Sequence, residues 1–253
     1  MLFFKRILKL AEGTPAPSER RRAPRYSVGA EFPLKAVLNL AGRDEFGNPL
    51  QSSGGDGWNW GGRLVDLSSS GARMQLPPAA LTARGDACHL NLKLDHYHLV
   101  IPGRITHLRE QRDCMLLGLA LAPVEAETRH AYQQLLDLVA LGASLKAAKA
   151  AKIDDSGFLA EQYGGDHGSQ LTVWRQSAPH HIVAFAFQLK NWLVRGRETK
   201  PGLDYFAAAP DQPTRPVAPA QGAEIHRLFR WVVPNLARTV PADARAFLQK
   251  YSA

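Results

Sequence analysis

Cysteine is scarce in this chain. Cys88 and Cys114 are the only two in 253 residues, and neither sits in a CxxC or CxH pattern. Two thiols cannot build a disulfide framework, so a reducing, cytoplasmic setting fits best, and both cysteines read as buried thiols. Long apolar runs are missing as well, since none approaches the ~20 residues that span a bilayer. The opening MLFFKRILKL is apolar but interrupted by Lys5, Arg6 and Lys9, too broken for a secretory core. It is expected to form a frayed or docked terminal helix. The alternative is contact of residues 1–10 with a membrane surface or a partner, because Phe3, Ile7 and Leu10 share one helical face.

Catalytic signatures are absent too. There is no GxSxG, HExxH, GxxxxGK[ST] or GxGxxG, and no acid pair spaced for hydrolysis. The chain is therefore expected to be neither an enzyme nor the holder of a cofactor. His96 and His98 share a strand face at i, i+2, with His89 and His107 as further candidates. A metal site needs three or four convergent ligands, so these read as solvated strand histidines. No internal repeat is present.

What the chain has is positive charge, unevenly placed. The net charge is +8 and the pI about 9.7. Residues 1–30 hold seven Lys and Arg against Glu12 and Glu19, so most of the excess lies there. Within it, ERRRAPR sets Arg20, Arg21, Arg22 and Arg25 in six residues with no carboxylate after Glu19. Cations this dense repel one another, and the stretch is either a solvated tail or a clamp for an anion. A fold-wide nucleic-acid surface would spread its charge along grooves and faces instead.

Beyond a small, Pro-containing linker the hydrophobic period becomes two. Strands are expected from Phe32 to Leu40, over Leu64–Leu67, over Ala72–Leu76, across Cys88–Leu94, and in HLVIPGRITHL and RDCMLLGLAL. About six strands with short turns suggest a small antiparallel barrel. Residues 41–62 read as a Gly-rich loop carrying Trp58 and Trp60, long for a strand connection. Thr128, Ala131, Tyr132, Leu135, Leu138 and Val139 then fall at helical spacing, with Gly142 near a C-terminal cap. SLKAAKAAKI is expected to continue as a basic helix or linker. Farther on, LTVWRQ, HIVAFAFQLKNW and LVRGRE read as a meander, residues 207–222 as a Pro/Ala-rich linker, and the end as two short helices interrupted by Pro234 and Pro241.

One turn stands out. In strand–DLSSSG–strand, Asp66 offers two acceptor oxygens, Ser68 a hydroxyl, and Gly71 freedom to adopt a positive φ. RRxxxR at Arg20, Arg21 and Arg25, followed about 40 residues on by DxSxxG at Asp66, Ser68 and Gly71, resembles the motif pair of the PilZ domain family. The order of strands, a GLAL strand around Gly118 and a closing helix extend the resemblance over roughly residues 19–142. It says nothing of the last hundred residues.

The resemblance implies a six-stranded antiparallel PilZ-type β-barrel with a closing helix, and the strand and helix pattern beyond it adds a second small α+β domain, so the whole is expected to be a mixed α+β protein. Residues 1–18 would be an N-terminal arm, 19–142 the barrel, 143–154 a helical linker and 155–253 the second domain. The ligand it implies is cyclic di-GMP, a bacterial second messenger with two phosphates and two guanines. Arginine suits both groups, because its planar fork bonds phosphate or guanine O6/N7 and stacks on a purine. Asp66 would take N–H donors from a guanine, Ser68 to Gly71 would form a rim, and the arginines would close from a mobile arm. Arginine at position 20 implies an intercalated ligand dimer, two molecules per chain, with Arg22 a solvated neighbour. Trp58 or Trp60 would anchor the 41–62 loop to the barrel or stack on a base. Residues 155–253 would carry the output to a protein partner. The alternatives are a ligand-independent adaptor of the same fold and, less favoured by the charge distribution, a nucleic-acid-binding barrel.

Overall fold

A computed structural model describes residues 23–40, 57–178, 180–209 and 212–252. The chain divides into two compact units that meet in sequence between Leu136 and Asp137. No helix among the described residues is long and apolar enough to cross a membrane.

The first unit is built from β1 (Tyr26–Ser27), β2 (Leu34–Leu40), β3 (Trp58–Ser68), β4 (Gly71–Leu76), β5 (Ala87–Leu94), β6 (Tyr97–Glu110) and β7 (Met115–Leu121), followed by helix α1 (Ala126–Ala143). All pairings are antiparallel. The order β3–β2–β5–β6–β7–β4 closes on itself because β4 also pairs with β3, giving a six-stranded barrel with β1 as a short addition to β3. Alternation supplies the core: Leu34, Ala36, Leu38 and Leu40 point inward from β2, and Leu90, Leu92 and Leu94 from β5. Tyr132 and Leu135 of α1 are buried, on the spacing read from the sequence, and Leu136, outside that spacing, is buried too.

One strand is longer than expected. Trp58–Gly62, assigned to the loop, forms the first half of β3 and pairs with Ala36–Leu40. Asn59, Gly61 and Gly62 are poor strand formers, and pairing with β2 overrides that preference. Trp58 does not anchor anything to the barrel, since it is 68% exposed. The remainder of the 41–62 segment, residues 41–56, lies outside the described residues, as do residues 1–22.

The second unit is a seven-stranded antiparallel meander in chain order: β8 (Lys146–Ile153), β9 (Leu159–Gly164), β10 (Gln170–Arg175), β11 (Ile182–Leu189), β12 (Trp192–Arg197), β13 (Lys200–Ala207) and β14 (Arg215–Pro216). Helices α2 (Pro219–Val232) and α3 (Ala242–Gln249) complete it, each opened by proline, at N1 in α2 and at the N-cap in α3. Phe185, Phe187, Phe229 and Phe247 form its aromatic core, with the rings of Phe185 and Phe229 stacked at 5.7 Å. Two expectations are corrected. The KAAKAAKI segment, read as a helical linker from its Ala and Lys, is strand β8, because pairing with β9 outweighs helix propensity. Gly142 is no cap either. It sits in the last turn of α1, where a Cβ would lie 2.8 Å from the Asn235 carbonyl oxygen and 2.9 Å from that of Val232.

A buried cation ties this unit together. Arg175 of β10, its side chain 8% exposed, donates from Nε to Glu161 Oε1 of β9 at 3.0 Å and from Nη2 to Asp243 Oδ1 of α3 at 3.2 Å. Its Nη1 reaches Asp243 Oδ2 and the His180 carbonyl. The bonds from Arg175 hold the Asp243 carboxyl below the usual carboxylate range. Arg175→Ala strands Glu161 and Asp243 and is expected to cost the second unit about 2–3 kcal/mol, somewhat less than a fully buried pair because Asp243 is partly solvated. Denaturant melts followed by tryptophan fluorescence would read it. Because the Asp243 pKa is depressed on folding, its contribution is complete above about pH 4 and fades as pH falls through the lowered value. Asp243→Asn should remove that acid-side slope. Gly142→Ala, forcing two carbonyls apart, is expected to destabilise the same unit by about 1–3 kcal/mol, read in the same melts.

Candidate ligand site at the Asp66 turn

β3 and β4 are joined by Ser69 and Ser70, and the register counts outward from them: Ser68 opposite Gly71, Leu67 opposite Ala72, Asp66 opposite Arg73. On the other edge of β3, β1 sets Ser27 opposite Asp66 and Tyr26 opposite Leu67. Asp66 therefore lies between two strands that each deliver an arginine. Arg25, just ahead of β1, donates from Nη1 to Asp66 Oδ1 at 2.7 Å. Arg73 of β4 places Nη2 2.5 Å from Asp66 Oδ2. The Asp66 side chain is 5% exposed, whereas those of Arg25 and Arg73 are 53% and 48% exposed.

That asymmetry sets what the site can do. Two guanidinium groups share one carboxylate, so the cluster carries a net positive charge. The anion is at the bottom and the cations are at the surface. The forks are held in place yet half open to solvent, an arrangement suited to a phosphate or a planar acceptor edge. Each Asp66 oxygen is engaged by an arginine, so the carboxylate holds both forks where they stand.

The turn is fixed from several sides. Ser68, 2% exposed, donates its hydroxyl to the Gly71 carbonyl at 3.2 Å. Its own carbonyl accepts from the Tyr132 hydroxyl of α1 at 2.7 Å, and burial pushes that phenol well above its usual range. The Ser70 carbonyl accepts from the Leu121 amide at 2.9 Å. Gly71 does not adopt a positive φ, contrary to expectation. It is needed for room: a Cβ there would stand 2.6 Å from the Leu119 carbonyl oxygen and 3.5 Å from Arg25 Nη2.

Of the residues singled out from the sequence, Arg25, Asp66, Ser68 and Gly71 come together here, while Arg20 and Arg21 fall outside the described residues. Arg73 belongs to neither motif and is not among the residues the sequence singles out. The signal existed, since a two-residue turn after Ser68 puts position 73 opposite Asp66. Among the described residues no group of three or more His, Cys, Asp or Glu could hold a metal ion. Burial, with a smaller effect of Asp86, pushes the Cys88 thiol up to about 11. Cys114 is only half-buried and donates to Gln111 Oε1 at 3.2 Å, so it is less enclosed than expected.

Comparison with known proteins gives three findings. No curated protein matches the chain. Among solved structures it is similar to the PilZ domain with c-di-GMP of YcgR from Escherichia coli, at 15% identity and TM-score 0.35, covering 47% of this chain and 89% of that one. It is also similar to the Borreliella burgdorferi PlzA protein in complex with c-di-GMP, at 13% identity and TM-score 0.31, covering 82% and 94%. The family model for the PilZ domain matches residues 19–138. That match spans the six-stranded barrel and both ordered motifs, and the chain carries a PilZ domain over these residues.

Proposed function

We propose that the chain is a non-catalytic receptor for cyclic di-GMP. The observation that carries this reading is the Asp66 cluster, in which one buried carboxylate holds the half-exposed guanidinium groups of Arg25 and Arg73 beside the DxSxxG turn of a PilZ domain. The ligand is a dianion with guanine O6/N7 edges, and both features call for arginine. Arg25 and Arg73 form the fixed half of the site, and Arg20 and Arg21 complete it from the preceding segment. Ser68 and Gly71 keep the rim rigid. With Arg20 in place the site takes two molecules as an intercalated dimer. The bound state is relayed to a protein partner through residues 155–253.

Calorimetric titration of the full chain with cyclic di-GMP tests the proposal. Binding at micromolar or tighter affinity is expected, with a stoichiometry near two that falls to one in Arg20→Ala. Arg21→Ala, Arg25→Ala and Arg73→Ala should each weaken binding about 10- to 100-fold, the worth of a lost charge-assisted contact. Asp66→Ala should weaken binding as much, although it removes a negative charge, because the two forks lose their anchor. No heat and no thermal shift at high ligand would sink the receptor reading in favour of a ligand-independent adaptor. Tighter binding in Asp66→Ala would overturn the positioning role of that carboxylate.

A further inference from the structure

Strand β8 is an edge strand whose eight residues, KAAKAAKI, are all exposed. It pairs with β9 alone, so among the described residues its outer edge leaves main-chain N–H and C=O groups without strand partners. Its side chains add nothing to the core, and its Ala and Lys favour helix. What it does have is Lys146, Lys149 and Lys152 at a spacing of three. In a regular strand that spacing would scatter the lysines over both faces.

Two register shifts, between Ala147 and Lys149 and between Lys149 and Lys152, prevent this. Lys146 lies opposite Gly164, Lys149 opposite Gln162 and Lys152 opposite Ala160, positions two apart on β9. All three lysines therefore stand on one face. The intervening Ala147 pairs with Tyr163, on the face that carries buried Tyr163, Leu171 and Phe187. The bulges compress the row to the repeat of an extended chain, about 7 Å between neighbours. None of the three lysines has an acidic partner among the described residues.

We infer that β8 is a docking edge for an acidic segment of a partner protein, which adds to this sheet as its next strand with carboxylates at alternate positions. The open edge supplies main-chain hydrogen bonds, and the lysine row selects the sign and the two-residue repeat. Ala147, Ala148, Ala150 and Ala151 leave room for a second backbone to approach. A second copy of the chain is disfavoured, since pairing β8 with itself brings lysine rows together.

The test uses the full chain and a fluorescein-labelled decapeptide alternating Glu and Thr. Three comparison probes accompany it: the same peptide with proline at alternate Thr positions, a short DNA duplex, and anionic phosphatidylserine vesicles. The Glu/Thr peptide should raise anisotropy and slow amide hydrogen exchange in residues 146–153. Its affinity should fall about tenfold or more for the proline peptide, which cannot pair along the edge, and for K146Q/K149Q/K152Q. That triple variant should keep its unfolding midpoint, because every altered side chain is exposed, and should keep its cyclic di-GMP response. Absence of peptide binding would overturn the inference. So would equal binding of the proline peptide, which would mean charge without strand pairing, or tighter lysine-dependent binding to duplex or vesicles.

Discussion

Asp66 has 4% of its surface exposed, and a carboxylate at that depth costs several kcal/mol unless cations reach it. Arg25 and Arg73 satisfy it, one oxygen each. The need is structural, but its consequences reach the surface. To reach Asp66, Arg25 must sit directly ahead of β1, so the point where the arginine-rich segment joins the barrel is fixed. Arg73 must stand across the hairpin, so the β3–β4 register is fixed too. Two long side chains that would otherwise sample many rotamers are thereby held before any anion arrives.

β3 is the strand that makes this possible. It pairs with β2 over its first half, with β4 over its second and with β1 near its end, and that sharing closes the barrel. A bulge between Leu64 and Asp66 reconciles the geometry: Leu64 and Leu67 are three apart, yet both are buried. Without the bulge strict alternation would put Leu64 and Leu67 on opposite faces. The Tyr132 hydroxyl then holds the Ser68 carbonyl from α1, so the turn is secured by strand, bulge and helix together.

The sequence made much of this legible where periodicity was strong. Cys88 to Leu94 alternates without interruption, and β5 is found there; Tyr132, Leu135, Leu138 and Val139 mark α1. The failures share a cause, which is long-range pairing that local composition does not encode. Asn59, Gly61 and Gly62 look like loop and form strand, and Lys and Ala over 146–153 look like helix and form strand. At the site, Arg25, Asp66, Ser68 and Gly71 were visible as motif residues, but their packing was not. Gly71 provides space where a left-handed turn had been expected, and Asp66 holds two arginines that the motif pair alone did not place beside it. Arg73 belongs to no motif and became visible only through the hairpin register.

Two charge clusters among the described residues use the same groups in opposite senses, and the contrast separates an arrangement open to an anion from a structural pin. In the second unit the cation is hidden: Arg175 is 8% exposed and gathers Glu161 and Asp243 around it. Its donors are consumed by the two carboxylates and the His180 carbonyl, and three chain segments are locked. In the barrel the anion is hidden and the cations stand half in solvent. A guanidinium carries five N–H donors, and a single carboxylate oxygen uses few of them. The Arg175 cluster can give a visiting anion little without dismantling the fold. The Asp66 cluster can turn its outward donors to one while its inward bonds remain, so binding there demands no unfolding of what holds the arginines in place.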